Sequence, residues 1–235
     1  MTLATIFDFN GVLVDDESVH LEAFRQVLVP LGITFDDATY ADRYLGFDDA
    51  GAFRAMLADA GREPTDEEVK RLIEAKKPVY MERIAGSLVV FDGAAAIVQR
   101  RALLGVVGIV SGALRHEIEH ALGIMGVREA ISFIVSAEDT SRCKPDPQGY
   151  QLGVQAVRAR AGDLPAVVIE DSIAGIEAAK AAGLRCAAVA HSYAAALLRA
   201  AGADIVVDHV ADLTDAMLDG DGITHGPSSG GPSER

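Results

Sequence analysis

The feature that most constrains the fold is a series of short apolar runs with helical patterns between most of them. The runs are rich in Val, Ile and Ala and are nearly continuous, which is typical of parallel strands that helices cover on both faces. Alternating strands and helices predict an α/β fold with a doubly wound, mostly parallel, Rossmann-like sheet. The six predicted strands are 3–9, 105–110, 131–135, 166–169, 186–190 and 204–207. The predicted helices between them are 92–104, 113–122, 147–161, 173–182 and 193–201.

Composition and charge limit the classes of partner. Half of the 235 residues are hydrophobic, which is enough for a sizeable core. The formal net charge of −14 disfavours nucleic-acid and membrane partners, because both carry phosphates that an acidic surface repels. Cys143 and Cys186 are the only cysteines, which fits a reducing compartment. We therefore expect a cytoplasmic protein. We also expect a monomer or a weak homodimer, although composition does not determine the oligomeric state.

The segment 16–86 has no convincing strand pattern and is predicted to be all helical. Asp16 is the predicted N-cap of its first helix, over 17–31, and Pro78 should kink or interrupt its last helix. An all-helical insert after the first strand would lie as a cap over the edge of the sheet where ligands bind. We predict a core domain of 1–15 and 87–219, a cap domain of 16–86 and a disordered tail of 220–235, which is rich in Gly, Ser and Pro.

Four stretches with chemically competent side chains lie at predicted strand ends or helix starts. Because the carboxyl ends of parallel strands meet at one edge of a sheet, we expect these stretches to converge. The residues of interest are Asp8, then Ser111 with Gly112, then Lys144, and finally Glu170 with Asp171.

Carboxylates dominate the chemistry of these stretches. Asp8, Glu170 and Asp171 would repel one another at a common edge unless a cation lay among them. Oxygen ligands without a His or Cys cluster favour Mg²⁺, which binds through a few carboxylates and a substrate phosphate. In such a site Asp8 would be both ligand and nucleophile. Ser111 and nearby backbone N–H groups would hold phosphate oxygens, and Lys144 would balance charge.

At these stretches the sequence resembles the haloacid dehalogenase-like (HAD) superfamily, and most closely its helical-cap subgroup, which includes β-phosphoglucomutase-like phosphatases. The first family motif, Asp-x-Asp-Gly-x-x-x-Asp, is matched at Asp8, Gly11 and Asp15. The other three motifs are matched at Ser111, Lys144, and Glu170 with Asp171. Four motifs in chain order, each at a predicted junction, are a specific signal. The resemblance covers about residues 1–215.

The resemblance implies a phosphoaspartyl intermediate on Asp8. It also implies a Mg²⁺ ion held by Asp8, Asp171 and the backbone carbonyl of Asn10, with Glu170 in direct or water-mediated contact. The phosphate group would be bound by Ser111, Gly112 and Lys144.

Asn10 is the one departure from the family pattern. Phosphatases of the family have an aspartate there, which protonates the leaving group and then activates water. An amide cannot transfer that proton, and loss of such a group typically costs about 10²–10⁴ in rate. Asn10 is the only asparagine in the chain. We therefore expect Asp8 to be phosphorylated while turnover is weakened.

The cap offers candidate substrate contacts in His20, Lys76 and Lys77. His20 falls at a position that faces the site in mutase-like relatives. The cap stretch 45–49, Leu-Gly-Phe-Asp-Asp, is apolar and acidic where sugar-phosphate mutases offer basic residues to a second phosphate. Unless Arg43 or Arg54 compensates, this counts against a mutase.

The leading hypothesis is a Mg²⁺-dependent phosphohydrolase or phosphotransferase, a slow HAD-like hydrolase that acts on a small phosphorylated metabolite. The first alternative is a catalytically impaired protein that binds such a metabolite. Another reaction of the family is the second alternative: phosphomutation, dehalogenation, or phosphonate cleavage through a Schiff base on Lys76 or Lys77. The dehalogenase pattern has an aromatic residue at position 10, which Asn10 does not match.

Overall fold

The computed structural model describes residues 3–220, apart from the side chain of Ser87. Its strands are β1 (Ala4–Phe7), β2 (Val14–Asp15), β3 (Val89–Val90), β4 (Val107–Val110), β5 (Phe133–Val135), β6 (Ala166–Glu170), β7 (Arg185–Val189) and β8 (Ile205–Val207). Its α-helices are α1 (Glu17–Leu28), α2 (Asp37–Arg43), α3 (Asp49–Asp59), α4 (Asp66–Ser87), α5 (Ala94–Leu104), α6 (Arg115–Met125), α7 (Gln148–Ala161), α8 (Ile173–Ala181), α9 (Ala195–Ala200) and α10 (Asp215–Asp219).

Six strands form one parallel sheet in the order β5-β4-β1-β6-β7-β8. The predicted doubly wound α/β fold is confirmed, and each of the six predicted strands overlaps one of these strands. Chain order runs outward from β1 through β4 to β5 and then resumes with β6 on the other side of β1. This change of direction creates a crevice at the carboxyl ends of the central strands, where ligands bind in such folds.

Burial on both faces explains why the strands are continuously apolar. In β1, Phe7 belongs to the apolar cluster on one face of the sheet and Ile6 to the cluster on the other face. In β6, Ile169 and Val168 divide in the same way. All four side chains are fully buried, because helices cover both faces.

Helices α1 to α4 form an insert, here called the cap, between β2 and β3. The cap has its own apolar cluster, in which Phe24, Leu28 and Phe53 are buried. The segments entering and leaving it pair as the antiparallel strands β2 and β3. The exact division into domains at residues 16 and 86 stays a prediction.

The prediction for Pro78 is a kink or an interruption of the last cap helix, and the interruption is wrong, because α4 continues through Pro78 as one helix. Pro78 is exposed, and the buried residues of α4 recur every three or four positions on the opposite side. Packing of that side stabilises the helix against the missing backbone donor. The buried residues are Val69, Leu72, Lys76, Tyr80 and Ile84.

Across the described residues, none of the helices has both the length and the apolar character needed to cross a bilayer. The tail predicted over 220–235 lies outside the described residues, except that Gly220 is the C-cap of α10.

Candidate active site

Lys144 links two carboxylates at the carboxyl edge of the sheet. Its Nζ lies 2.6 Å from Oδ1 of Asp8, which directly follows β1, and 2.6 Å from Oε1 of Glu170, the last residue of β6. Burial raises the pKa of Asp8 to about 6, although Lys144 acts in the opposite direction. Burial also acts against the charged form of Lys144, but the two carboxylates raise its pKa above the usual range. Lys144 is therefore a fixed ammonium beside the candidate nucleophile.

Glu170 is fully buried and both of its oxygens are occupied by protein donors. Oε1 accepts from Lys144 and from the Tyr150 hydroxyl at 2.7 Å. Oε2 accepts from the backbone N–H groups of Asp171 and Ser172 at 3.0 and 3.2 Å, and from the Ser172 hydroxyl at 3.0 Å. Burial acts to raise the pKa of Glu170, but Lys144 and these donors bring it below its ordinary value. Glu170 is thus placed to orient Lys144.

Asp8, Glu170 and Asp171 each offer a carboxylate oxygen, and these atoms all lie within 4.8 Å of one another. Burial raises the pKa of Asp171 well above its usual range, and the charges of Glu170 and Asp8 add to the effect. One ammonium, that of Lys144, does not balance three buried carboxylates. Buried oxygen ligands with an excess of negative charge fit a hard divalent cation such as Mg²⁺.

Gly11 makes room for this cluster. Its φ of +73° lies in the left-handed region, and a Cβ atom there would be 2.0 Å from Oδ2 of Asp171. The backbone carbonyl of Gly11 also lies 2.8 Å from Nδ1 of His191. Only glycine lets the turn after Asp8 pass directly against Asp171.

Asn10 is held by Asp16. Its Nδ2 lies 2.9 Å from each carboxylate oxygen of Asp16, and its Oδ1 lies 3.4 Å from Oγ of Ser111. Of the two ends of the Asn10 amide, only the NH₂ group can donate to the Asp16 carboxylate. The end that faces Ser111 is therefore the amide oxygen, which is an acceptor.

Asp16 does occupy the N-cap position of α1, as predicted, but its side chain does not cap the helix. It is 1% exposed and accepts hydrogen bonds from Asn10 and from the Tyr80 hydroxyl. His20 Nε2 lies 3.3 Å away. Burial acts to raise the pKa of Asp16, but His20, Asn10 and Tyr80 lower it below the ordinary value. Asp16 is therefore a buried carboxylate of the site, which its pattern as a helix-start acid did not indicate.

Ser111 directly follows β4, and its Oγ accepts from the backbone N–H of Ala113 at 3.2 Å. Gly112 is exposed toward the cap, and a Cβ atom added to it would lie 3.3 Å from Cβ of Asp48. The cap loop before α3 therefore lies against the loop predicted to bind phosphate.

In the cap, Lys76 is fully buried. Its Nζ lies 2.5 Å from Oδ1 of Asp49 and 2.7 Å from Nδ1 of His20. Lys77 instead forms a partly exposed pair with Glu74 at 2.6 Å. The charge of Lys76 is consequently committed to groups inside the protein.

A cavity of about 790 Å³ lies between the sheet edge and the cap. The structure brings most of the predicted site residues to its wall, whereas Glu170, Lys76 and Lys77 lie outside the lining. The predicted residues that line it are Asp8, Asn10, His20, Ser111, Gly112, Lys144 and Asp171. Lining residues that the sequence did not single out for function include Asp16, Asp49, Glu117, Tyr150 and Ser192.

Comparisons with known proteins identify relatives that cover most of the chain. A family model described as haloacid dehalogenase-like hydrolase matches residues 3–183. The chain is 28% identical to validoxylamine A 7'-phosphate phosphatase from Streptomyces hygroscopicus subsp. limoneus, over 92% of this chain and 96% of that one.

Two solved structures of CbbY from Rhodobacter sphaeroides are 25% identical to the chain. The complex with phosphate has a TM-score of 0.81 and covers 93% of this chain and all of that one. An Asp-to-Asn variant in complex with xylulose-(1,5)bisphosphate has a TM-score of 0.76 and covers 91% and 96%.

Proposed function

The chain belongs to the haloacid dehalogenase-like hydrolase family, and we propose that it is a Mg²⁺-dependent phosphatase of a small phosphorylated metabolite. The observation that carries this proposal is the position of Lys144, 2.6 Å from both Asp8 and Glu170 and beside a third carboxylate, Asp171. An ammonium beside a buried carboxylate at a ligand-binding sheet edge provides a nucleophile together with a charge to hold phosphate oxygens.

Mg²⁺ fits this site because the donors are carboxylate oxygens with uncompensated negative charge. Asp8 and Asp171 would hold it, together with the backbone carbonyl of Asn10. Glu170 has no free acceptor position after its five donors, so we assign it to the orientation of Lys144. When bound, the ion would neutralise phosphate charge and lower repulsion between the phosphate and the nucleophile.

The reaction proceeds in two displacements at phosphorus. Oδ of Asp8 attacks, a P–O bond to phosphorus forms, and the P–O bond to the leaving alcohol breaks. Water then attacks the acyl phosphate, which releases orthophosphate and restores the Asp8 carboxylate. Lys144 and the Ser111 hydroxyl hold phosphate oxygens during both steps. The leaving alcohol takes one proton in the first step, and the attacking water loses one in the second.

Asn10 limits both proton transfers. The amide oxygen it turns toward Ser111 carries no proton, and its NH₂ group is engaged by Asp16. His20 is a titratable residue that lines the cavity, and its Nε2 lies 3.4 Å from Asn10 Nδ2. A good leaving group needs no proton, so acyl and aryl phosphates should react faster than alkyl phosphates.

The named relatives support a small phosphorylated substrate. One is a phosphatase of validoxylamine A 7'-phosphate, and CbbY was solved with phosphate and with a sugar bisphosphate. The cavity of about 790 Å³ lies within the usual size range for metabolite sites.

A second candidate function is metabolite binding with little turnover. It is favoured by the fixed amide of Asn10 and by the CbbY variant, in which an asparagine introduced for an aspartate accompanies a bound sugar bisphosphate. Phosphonate cleavage through a Schiff base is disfavoured, because Lys76 is paired with Asp49 and lies outside the cavity lining.

Phosphate release from a panel of metabolites with Mg²⁺ tests the proposal, with acetyl phosphate and p-nitrophenyl phosphate included. We expect the last two to be hydrolysed fastest and EDTA to stop the reaction. Absence of phosphate release from every member of the panel would exclude phosphatase activity. Mg²⁺-dependent binding of a panel member without release of phosphate would instead establish the second candidate.

A further inference from the structure

The cap-side end of the cavity contains two carboxylates with an unpartnered oxygen. Glu117, near the start of α6, is 1% exposed; its Oε2 accepts from the backbone N–H of Leu114 at 3.0 Å. Across the described residues, no donor contacts its Oε1. Asp49, at the start of α3, uses Oδ1 for Lys76 and likewise leaves Oδ2 without a donor. Both residues line the cavity.

The surrounding charges do not balance these carboxylates. Asp16, Asp49 and Glu117 are three acids, and the bases near them are Lys76, His20 and His116. Burial and the charge of Lys77 lower the pKa of His116, which favours its neutral form. With Lys76 and His20 both protonated, the ionised cluster keeps one negative charge. Burial raises the pKa of Glu117, although His20 and Lys76 act against this. A buried acceptor without a donor is costly, so this end of the cavity is suited to a ligand that donates hydrogen bonds.

The same end of the cavity is unsuited to a second phosphate. Among the described lining residues, the Lys and Arg side chains are Arg142 and Lys144. Arg142 is paired with Asp146 at 2.5 Å, and Lys144 with Asp8.

Arg43 and Arg54 are the two cap arginines that could have replaced the basic residues which mutases offer to a second phosphate. They do not supply that positive charge. They form partly exposed pairs with Asp59 and Asp66 and are outside the lining. A phosphate beside Asp49 and Glu117 would therefore meet acids without a free cation.

We propose that Asp49 and Glu117 form a subsite for a cationic, hydrogen-bond-donating group, so that the preferred substrate is the monophosphate of an amino sugar or a related amino polyol. This inference rests on the proposed function, because the phosphate must lie at the Asp8 end of the same cavity. Asp49 belongs to the cap and Glu117 to the core. An amine that contacts both would stabilise the closed arrangement of the two parts.

Binding to the wild-type protein with Mg²⁺, measured by calorimetry, tests the subsite. The probes are glucosamine 6-phosphate and glucose 6-phosphate, which differ by an ammonium in place of a hydroxyl, with glucose 1,6-bisphosphate and orthophosphate as comparisons. We expect the amine to bind at least about tenfold more tightly than the hydroxyl, as one charge-assisted hydrogen bond allows. The bisphosphate should bind most weakly of the sugar phosphates.

Variants separate recognition from folding. Glu117→Gln keeps an acceptor for Leu114, and Asp49→Asn keeps one for Lys76, so both should fold. Each should reduce the ratio of amine to hydroxyl affinity to about threefold or less, whereas Glu129→Gln, an exposed change, should leave it unchanged.

The outcomes distinguish the two proposals. Equal affinity for the two hexose phosphates, or tighter binding of the bisphosphate, would overturn the subsite while leaving the phosphatase intact. A ratio that survives both substitutions would also overturn it. Failure of orthophosphate and every sugar phosphate to bind would overturn the proposed function, and the subsite with it.

Discussion

The side-chain amide of Asn10 donates to both carboxylate oxygens of Asp16, each at 2.9 Å. The site therefore contains a carboxylate close to the position where the family has one, but Asn10 and Tyr80 already donate to its oxygens. Asn10 and Asp16 thus form a hydrogen-bonded pair of one donor and one acceptor. Replacing the donor at position 10 by an acceptor leaves Asp16 without these hydrogen bonds.

The first prediction follows from this pairing. Asn10→Asp should raise turnover of alkyl phosphates by about 10²-fold or more, because it restores a proton donor beside Asp8. It also places two carboxylates in contact, which should lower the free energy of unfolding by about 1–3 kcal/mol. Phosphate release and urea unfolding measure the two effects.

The double variant Asn10→Asp/Asp16→Asn is the matched control, because it restores an amide beside a carboxylate. It should recover most of the lost stability and keep the higher turnover. Unchanged phosphate release in both variants would contradict the role assigned to Asn10.

The second prediction concerns metal removal. Burial and the neighbouring carboxylates raise the pKa of Asp171, so its ionised form destabilises the metal-free protein at neutral pH. In EDTA, Asp171→Asn should therefore raise the free energy of unfolding by about 1–3 kcal/mol. With saturating Mg²⁺ the order should reverse, because the wild type gains binding energy that the variant lacks. Asp163→Asn, a substitution at an exposed position, serves as the control. A wild-type protein with a higher free energy of unfolding than Asp171→Asn in EDTA would argue against the repulsion.

The third prediction concerns Lys144. Lys144→Met leaves Asp8 and Glu170 buried without their ammonium, which should cost about 3–5 kcal/mol of stability and at least about 10²-fold in turnover. Lys180→Met removes a partly exposed pair with Asp204 and should cost less than about 1 kcal/mol. Thermal unfolding compares the two variants, and equal losses would show that the Lys144 contacts contribute little.

The fourth prediction concerns the pH dependence of stability at Asp219, in α10. Its carboxylate accepts from Arg101, which is 1% exposed, at 2.8 and 3.1 Å, and from the backbone N–H of Leu3 at 3.0 Å. Burial acts to raise the pKa of Asp219, but Arg101 brings it below the ordinary value. Its contribution to stability is therefore present above about pH 4 and lost as pH falls further.

Asp219→Asn should accordingly cost about 1–3 kcal/mol near pH 7, and the difference from wild type should shrink below pH 4. Urea unfolding across this pH range measures it. A difference that is constant with pH would assign the loss to packing rather than to charge.

The sequence predicts the fold and the polar residues at the strand ends because both follow from local patterns. Continuous apolar runs indicated strands covered on both faces, and the burial of Ile6 and Phe7 in opposite clusters is the physical reason. Asp8 and Asp171 could be placed at one sheet edge because all parallel strands end there.

The cap-side residues could not be predicted in the same way. Asp49 and Glu117 come together only when the cap lies over the core, and no local pattern specifies that arrangement. Glu117 lies in the first turn of α6, where its Oε2 accepts from the backbone N–H of Leu114, and nothing in the local sequence indicates that its Oε1 has no donor. Asp16 has the pattern of an N-cap, and its contacts with Tyr80 in α4 depend on packing between distant helices.

The central claim is that Asp8 is phosphorylated in a Mg²⁺-dependent reaction, and intact-mass spectrometry after incubation with acetyl phosphate tests it most directly. Because Asn10 slows the second displacement, the wild-type protein should gain the mass of one phosphoryl group, with the modified peptide containing Asp8. The gain should disappear in EDTA and in Asp8→Asn. No mass gain in wild type, or an equal gain in Asp8→Asn, would contradict the account.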